Sequence, residues 1–103
     1  MFKQRPSKYG AIPVVVMGIR FASQKEGSRY WSLFLMEKAG VISKLERQPV
    51  FKFPCGSEYR ADFRYVKNGK TIIEDVKGFK TKVFRLKLKM FKVHYPDLEL
   101  TLL

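Results

Sequence analysis

Glu58-Tyr59-Arg60-Ala61-Asp62-Phe63-Arg64-Tyr65-Val66-Lys67-Asn68-Gly69-Lys70-Thr71-Ile72-Ile73-Glu74-Asp75-Val76-Lys77 is the stretch that decides the fold. Two β-rich runs meet at Asn68-Gly69, residues that tolerate the positive φ of a type I′ turn, so the stretch reads as a tight antiparallel hairpin. A two-residue loop fixes the register. Lys67 then faces Lys70, and counting back in pairs places Asp62 opposite Asp75. Their Cβ atoms are expected about 4.5–5.5 Å apart on one face. Alternation sends Lys77 to that face too. It gathers Tyr59, Ala61, Phe63, Tyr65, Ile72 and Val76 on the other, ready to pack on helices. Glu74 intrudes among these apolar residues and becomes the alternative acid if a bulge shifts the register by one.

Upstream of the hairpin, Ser23-Gln24-Lys25-Glu26 has the S-x-x-E form of a capping box, and Tyr30, Leu33, Phe34 and Glu37 recur at helical spacing. Gly40 sits where a left-handed C-cap ends a helix, so a helix is expected over residues 23–39. Gly27 costs its first turn about 1 kcal/mol relative to alanine. Ahead of it, Ile12 to Met17 is a β-branched run, with Ile19 to Phe21 returning as a second short strand. Between helix and hairpin, Val50 to Phe53 reads as a strand that Pro49 places at an edge or strand start.

Downstream, residues 81–95 alternate at first but end with Phe91 and Val93 out of phase. At 100° per residue, Phe84, Leu88, Phe91 and Tyr95 form one apolar stripe, Lys82, Arg85, Lys89 and Lys92 a basic one, and Leu86, Met90 and Val93 a third, apolar one. A helix is expected, stopped by Pro96. Residues 98–103 close as a short strand. The order (β-β)-α-β-β-β-α-β makes a compact α+β domain, with a central mixed sheet of about four strands flanked by two helices. Residues 1–10 form a basic lead-in arm and residues 11–103 the single domain.

The composition limits the function classes. The 103 residues hold 21 Lys plus Arg against 9 Asp plus Glu, a net charge of +12, with 46% apolar and 15% aromatic residues. That is too apolar for a disordered basic tail. No run approaches the roughly 18–20 apolar residues needed to cross a bilayer, and no signal peptide is evident, so a cytoplasmic protein is expected. The lone Cys55 and lone His94 exclude an internal disulfide and a Cys/His zinc site. The excess charge points to a polyanion, first of all nucleic acid. Seven Lys or Arg and no acid fall between Val76 and Tyr95. The helical stripe, extending about 15 Å, could track a phosphate backbone without reading sequence.

Against that basic background, two facing aspartates are costly unless a cation sits between them or one is protonated. The plainer alternative is a solvated pair balanced by Arg60, Arg64 or Lys77. Asp62 with Asp75-Val76-Lys77 resembles the bipartite D…(D/E)-x-K signature of the PD-(D/E)xK nuclease superfamily. The longer series Gly18-Ile19-Arg20-Phe21-Ala22-Ser23-Gln24-Lys25-Glu26, Glu37-Lys38-Ala39-Gly40, Gln48-Pro49, Tyr59-Arg60-Ala61-Asp62-Phe63 and Glu74-Asp75-Val76-Lys77-Gly78 with Lys80-Thr81 resembles a family of small phage-borne endonucleases of that superfamily, related to Holliday junction resolvase-like nucleases, across roughly residues 8–97.

The resemblance implies a restriction-endonuclease-like fold and a Mg²⁺-dependent DNA endonuclease, with Mn²⁺ as substitute. It implies a phage role in recombination or DNA processing and a homodimer. It makes Glu26, Asp62 and Asp75 the metal ligands and Lys77 the catalytic lysine, with Gln48 and Glu74 beside the site. DNA contacts are then expected from Lys80, Lys82, Arg85, Lys89 and Lys92 and from Lys3, Arg5 and Lys8 of the arm. Relatives usually carry a charged or polar residue at the position of Ala22 and an alanine at that of Gly27. Glu26 also has a complete structural explanation as the last residue of the capping box. A non-catalytic nucleic-acid-binding module on the same fold is the alternative function.

Overall fold

The computed structural model describes residues 12–76 and 81–103. The arm with Lys3, Arg5 and Lys8, together with Lys77 and Lys80, lies outside the described residues. The chain opens with a hairpin of β1 (Val14–Val16) and β2 (Ile19–Phe21), turned by Met17 and Gly18 at φ 54° and 76°. Helix α1 (Gln24–Lys38) follows. Its N-cap is the expected Ser23, whose Oγ accepts the Glu26 N–H at 3.1 Å, and Gly40 sits past its end at φ 79°. Gly27 has a packing role beyond its cost in helix propensity. A Cβ there would come within 2.8 Å of Val14 Cγ2 and 2.9 Å of Val16 Cγ2, so glycine is what lets the hairpin lie against α1.

Five strands lie between the helices where three were expected: β3 (Ser43–Arg47), β4 (Val50–Lys52), β5 (Glu58–Arg60), β6 (Phe63–Lys67) and β7 (Lys70–Asp75). The expected strand over residues 58–67 is split into β5 and β6, and β3 is additional. β3 pairs antiparallel with β6, and β4 with β5. Across the break, the Gln48 N–H donates to the Asp62 carbonyl at 2.9 Å and the Ala61 N–H to the Pro49 carbonyl at 3.1 Å. The four strands are therefore one long hairpin with a bend in it. The bend falls where Gln48 takes a left-handed φ of 53° and Pro49 has no N–H to give.

The β6–β7 hairpin has the expected turn, with Asn68 and Gly69 at φ 52° and 76°, and the expected register from Lys67↔Lys70 to Phe63↔Glu74. Helix α2 (Lys82–His94) starts at Thr81, whose Oγ1 accepts the Phe84 N–H at 3.1 Å. Strand β8 (Glu99–Leu102) then returns parallel to β7. The sheet order is β3-β6-β7-β8, mixed as expected, and the fold is α+β.

Each helix covers one face of this sheet. Ile72, Phe63, Tyr65 and Val76 pack on the α1 side with Leu33, Phe21 and Ile42. Ile73, Phe51, Phe53, Tyr59 and Ala61 pack on the α2 side with Phe84 and Phe91. Each large apolar side chain buried this way contributes about 1.5–3 kcal/mol. Tyr59 and Ala61 were expected to share a face with Phe63 and Tyr65. They lie on the other, because the bend at Gln48-Pro49 and Ala61-Asp62 breaks the period-two alternation between β5 and β6. No helix among the described residues is long and apolar enough to cross a membrane.

Candidate functional site

The acids at the end of β7 are sorted by strand alternation. Glu74 follows Ile72 to the α1 side, and Asp75 follows Ile73 to the α2 side. Glu74 is buried and fully engaged. Arg29, on the sheet-facing side of α1, donates Nε to its Oε1 at 2.7 Å and Nη2 to its Oε2 at 2.6 Å, and the Tyr65 hydroxyl donates to Oε2 as well. Burial, then the Glu74 bond and charge, push the Tyr65 phenol up to about 12, with Arg29 pulling the other way. The Arg29 guanidinium is raised in turn, chiefly by its hydrogen bonds to Glu74. This triad ties α1 to β7 and gives the reserve acid a structural occupation.

Asp75 is completely buried and accepts a hydrogen bond from the Tyr59 hydroxyl. Asp62 does not stand opposite it in the ladder as the register count expects. The paired residues end at Phe63↔Glu74, and the Asp62 N–H reaches back to the Glu74 carbonyl at 3.1 Å. The Asp62 carboxylate instead turns to the end of β7, where Oδ2 accepts the Val76 N–H at 2.6 Å. Asp62 thus sits at the junction of three segments, its carbonyl held by Gln48 and its side chain by Val76.

The Tyr59 phenol reports on both aspartates. Burial raises its pKa far above the ordinary range, and the Asp75 hydrogen bond, the Asp75 charge and the Asp62 charge raise it further. Asp75 contacts the buried hydroxyl directly, while Asp62 contributes only its charge and bonds the N–H of Val76, the residue next to Asp75. Carboxylate oxygens are hard donors, and Mg²⁺ characteristically takes one or two carboxylates and completes its octahedron with water and phosphate oxygens. Asp62 and Asp75 supply oxygens of that kind, Asp75 from a wholly buried position.

Glu26 is buried in the first turn of α1, one turn before Arg29, on the helix that covers the Glu74 face. Among the described residues, no group of three or more His, Cys, Asp or Glu side chains is close enough together to hold a metal ion. Gln48 reaches the site through its backbone, and its side chain is exposed. Lys82, Arg85, Lys89 and Lys92 are all exposed along α2, while Phe84, Leu88, Phe91 and Tyr95 turn to the core. Lys77, the expected catalytic lysine, and Lys80 lie outside the described residues.

Two residues of the site escape sequence reasoning. Tyr59 was assigned to the wrong face, and the signal that could have corrected it is Pro49 on the facing strand, which interrupts the alternation. Arg29 carries no local signal for its partner 45 residues away.

A protein-family model described as a protein of unknown function (DUF1064) matches residues 6–103. No curated protein matches the chain.

Proposed function

The chain belongs to the DUF1064 family of proteins of unknown function, and we propose, from its own residues, that it is a metal-dependent DNA endonuclease. It hydrolyses phosphodiester bonds in branched DNA, flaps or junctions, in phage recombination or DNA processing. The observation that carries this reading is that two aspartate carboxylates are held at the end of β7, Asp75 by the Tyr59 hydroxyl and Asp62 by the Val76 N–H, one residue before Lys77 in the sequence. A basic surface in need of a polyanion is common; two aspartates at the end of one strand in a chain with 9 acids and 21 basic residues are not.

Asp62 and Asp75 are the residues that would hold Mg²⁺ or Mn²⁺. The ion supplies Lewis acidity toward a scissile phosphate. The chain's own residues position what reacts. Tyr59 fixes the Asp75 carboxylate by hydrogen bonding one oxygen, and the Val76 N–H does the same for Asp62. Lys77 is assigned the orientation of the attacking water or neutralisation of charge growing on the phosphate. Lys82, Arg85, Lys89 and Lys92 hold the DNA backbone through salt-sensitive contacts. A second copy of the chain gives the symmetry needed to cut two strands, so the active form is proposed to be a homodimer in the host cytoplasm.

One observation favours a second reading, a non-catalytic nucleic-acid-binding module: the absence of a three-acid group among the described residues. Purified protein assayed on linear, nicked, flapped and four-way DNA with Mg²⁺, Mn²⁺ or EDTA separates the two. Cleavage by wild type, lost in Asp75→Ala with DNA binding in EDTA retained, supports the endonuclease. Equal cleavage by the variant overturns it, and binding without cleavage under either metal favours the module.

A further inference from the structure

The basic stripe of α2 has a neighbour that nucleic-acid binding does not use. Val83, Leu86 and Val93 are 63%, 58% and 72% exposed, and Met90 between them is half-buried, packed in part against the core. The spacing 83, 86, 90, 93 is the three-four-three pattern of a coiled-coil seam over two heptads. It runs about 15 Å along the helix, opposite the face that Phe84 and Phe91 bury in the core. Lys82, Arg85, Lys89 and Lys92 flank one side of the seam, and Lys87 and His94 the other; α2 contains no acid.

We propose that this face of α2 docks an amphipathic helix of another protein, one that carries acidic residues on both sides of an aliphatic seam. Charge complementarity selects the occupant. A second copy of α2 would set lysine against lysine across both flanks, and like charges at such positions reject self-pairing. Nor does another surface of a second copy serve. Glu26, Glu74 and Asp75 are buried and Glu46 is paired with Arg64, which leaves the other acids scattered over separate elements. The segment 1–11, with Lys3, Arg5 and Lys8, has the wrong charge as well.

DNA gains little from the seam, because nucleic-acid interfaces are polar and phosphates make no use of valine and leucine. A bilayer is a poor fit too. The opposite side of α2 is sealed into the core, so the helix cannot sink, and the seam lacks the Trp or Phe typical of interfacial helices. A helix laid along the seam meets its apolar residues and both lysine flanks together.

The probe is a synthetic peptide of about three heptads with Leu at a and d and Glu at e and g, titrated against the full chain by calorimetry. Wild type is expected to bind it, and the triple variant Val83→Gln, Leu86→Gln, Val93→Gln to bind about tenfold or more weakly. Glutamine keeps helix propensity, and circular dichroism confirms that α2 persists. Lys87→Glu with Lys89→Glu is expected to reverse the preference toward an analogue bearing Lys at e and g. No binding, or binding unaffected by the triple variant, overturns the proposal. So does self-association that the triple variant abolishes. Capture by phosphatidylserine vesicles that the variant loses would give the seam to a membrane, and a matching loss of duplex DNA affinity would give it to nucleic acid; either overturns the proposal.

Discussion

Tyr59 hydrogen bonds Asp75 across the bend in the sheet, joining β5 to the last residue of β7 in a place closed to solvent. The phenol sits there because the break at Gln48-Pro49 turns β5 toward α2. Its ring packs at 5.7 Å from Phe91 and 6.3 Å from Phe51. Tyr59→Phe keeps this packing and removes only the donor, leaving a buried carboxylate oxygen short of a hydrogen bond. The expected loss of stability is about 1–3 kcal/mol, read from urea unfolding. A change below about 0.5 kcal/mol, the range of ordinary surface substitutions, would show that the bond does not hold Asp75.

Arg29 and Glu74 form a bidentate pair between α1 and β7, with Glu74 wholly enclosed. Arg29→Met strips the charge partner and leaves Glu74 with Tyr65 alone from the triad, a loss expected to reach about 3–5 kcal/mol. Arg29→Met combined with Glu74→Gln removes the uncompensated charge and is expected to recover a large part of that. A double-mutant cycle in urea measures the coupling, and simple additivity of the two changes would contradict the arrangement.

Tyr65 gives the fold a pH dependence at the alkaline end. Its folded-state value of about 12 lies above the ordinary tyrosine value of about 10. The folded protein therefore holds this proton more tightly than the unfolded chain. The associated stability is fully present below pH of about 10 and is lost as pH rises from there toward 12. Unfolding free energies measured across that window are expected to fall more steeply for wild type than for Tyr65→Phe. Tyr59, raised in the same direction, is common to both proteins and drops out of the comparison.

The sequence made the elements legible wherever a local rule governs them. Asn68-Gly69 specifies its turn through φ, Ser23 and Thr81 specify their helix starts through capping, and Phe84, Leu88 and Phe91 specify the inner face of α2 through period. These signals lie within one or two turns of chain. The division of faces between β5 and β6 was not legible within those strands, because alternation carries no mark of a bend whose one signal, Pro49, lies on the facing side of the hairpin. Counting in pairs succeeded from Lys67↔Lys70 to Phe63↔Glu74 and failed at the next step. There Asp62 uses its side chain on the Val76 N–H in place of a further ladder pair. The count placed Asp62 opposite Asp75, where the structure has it on the Val76 N–H, and gave no hint that Tyr59 would bond Asp75, since its hydroxyl reaches that carboxylate through tertiary packing alone.

Gly27 offers a test in which two local effects oppose each other. Alanine at this position gains up to about 1 kcal/mol of helix propensity. Its methyl would also meet Val14 Cγ2 at 2.8 Å and Val16 Cγ2 at 2.9 Å. Both contacts come from short β-branched side chains with little rotamer freedom, so relief requires the β1–β2 hairpin to move off α1. Overpacking of this kind costs about 1–3 kcal/mol, which outweighs the propensity gain. Gly27→Ala is therefore expected to destabilise the protein by about 1 kcal/mol. Once Val14→Ala and Val16→Ala have removed the two methyl groups, the obstacle is gone and propensity acts alone. In that background the same Gly27→Ala change is expected to stabilise. Urea midpoints of the four proteins read the sign directly; stabilisation by Gly27→Ala in the wild-type background would mean that the hairpin is not held against the helix by this close approach.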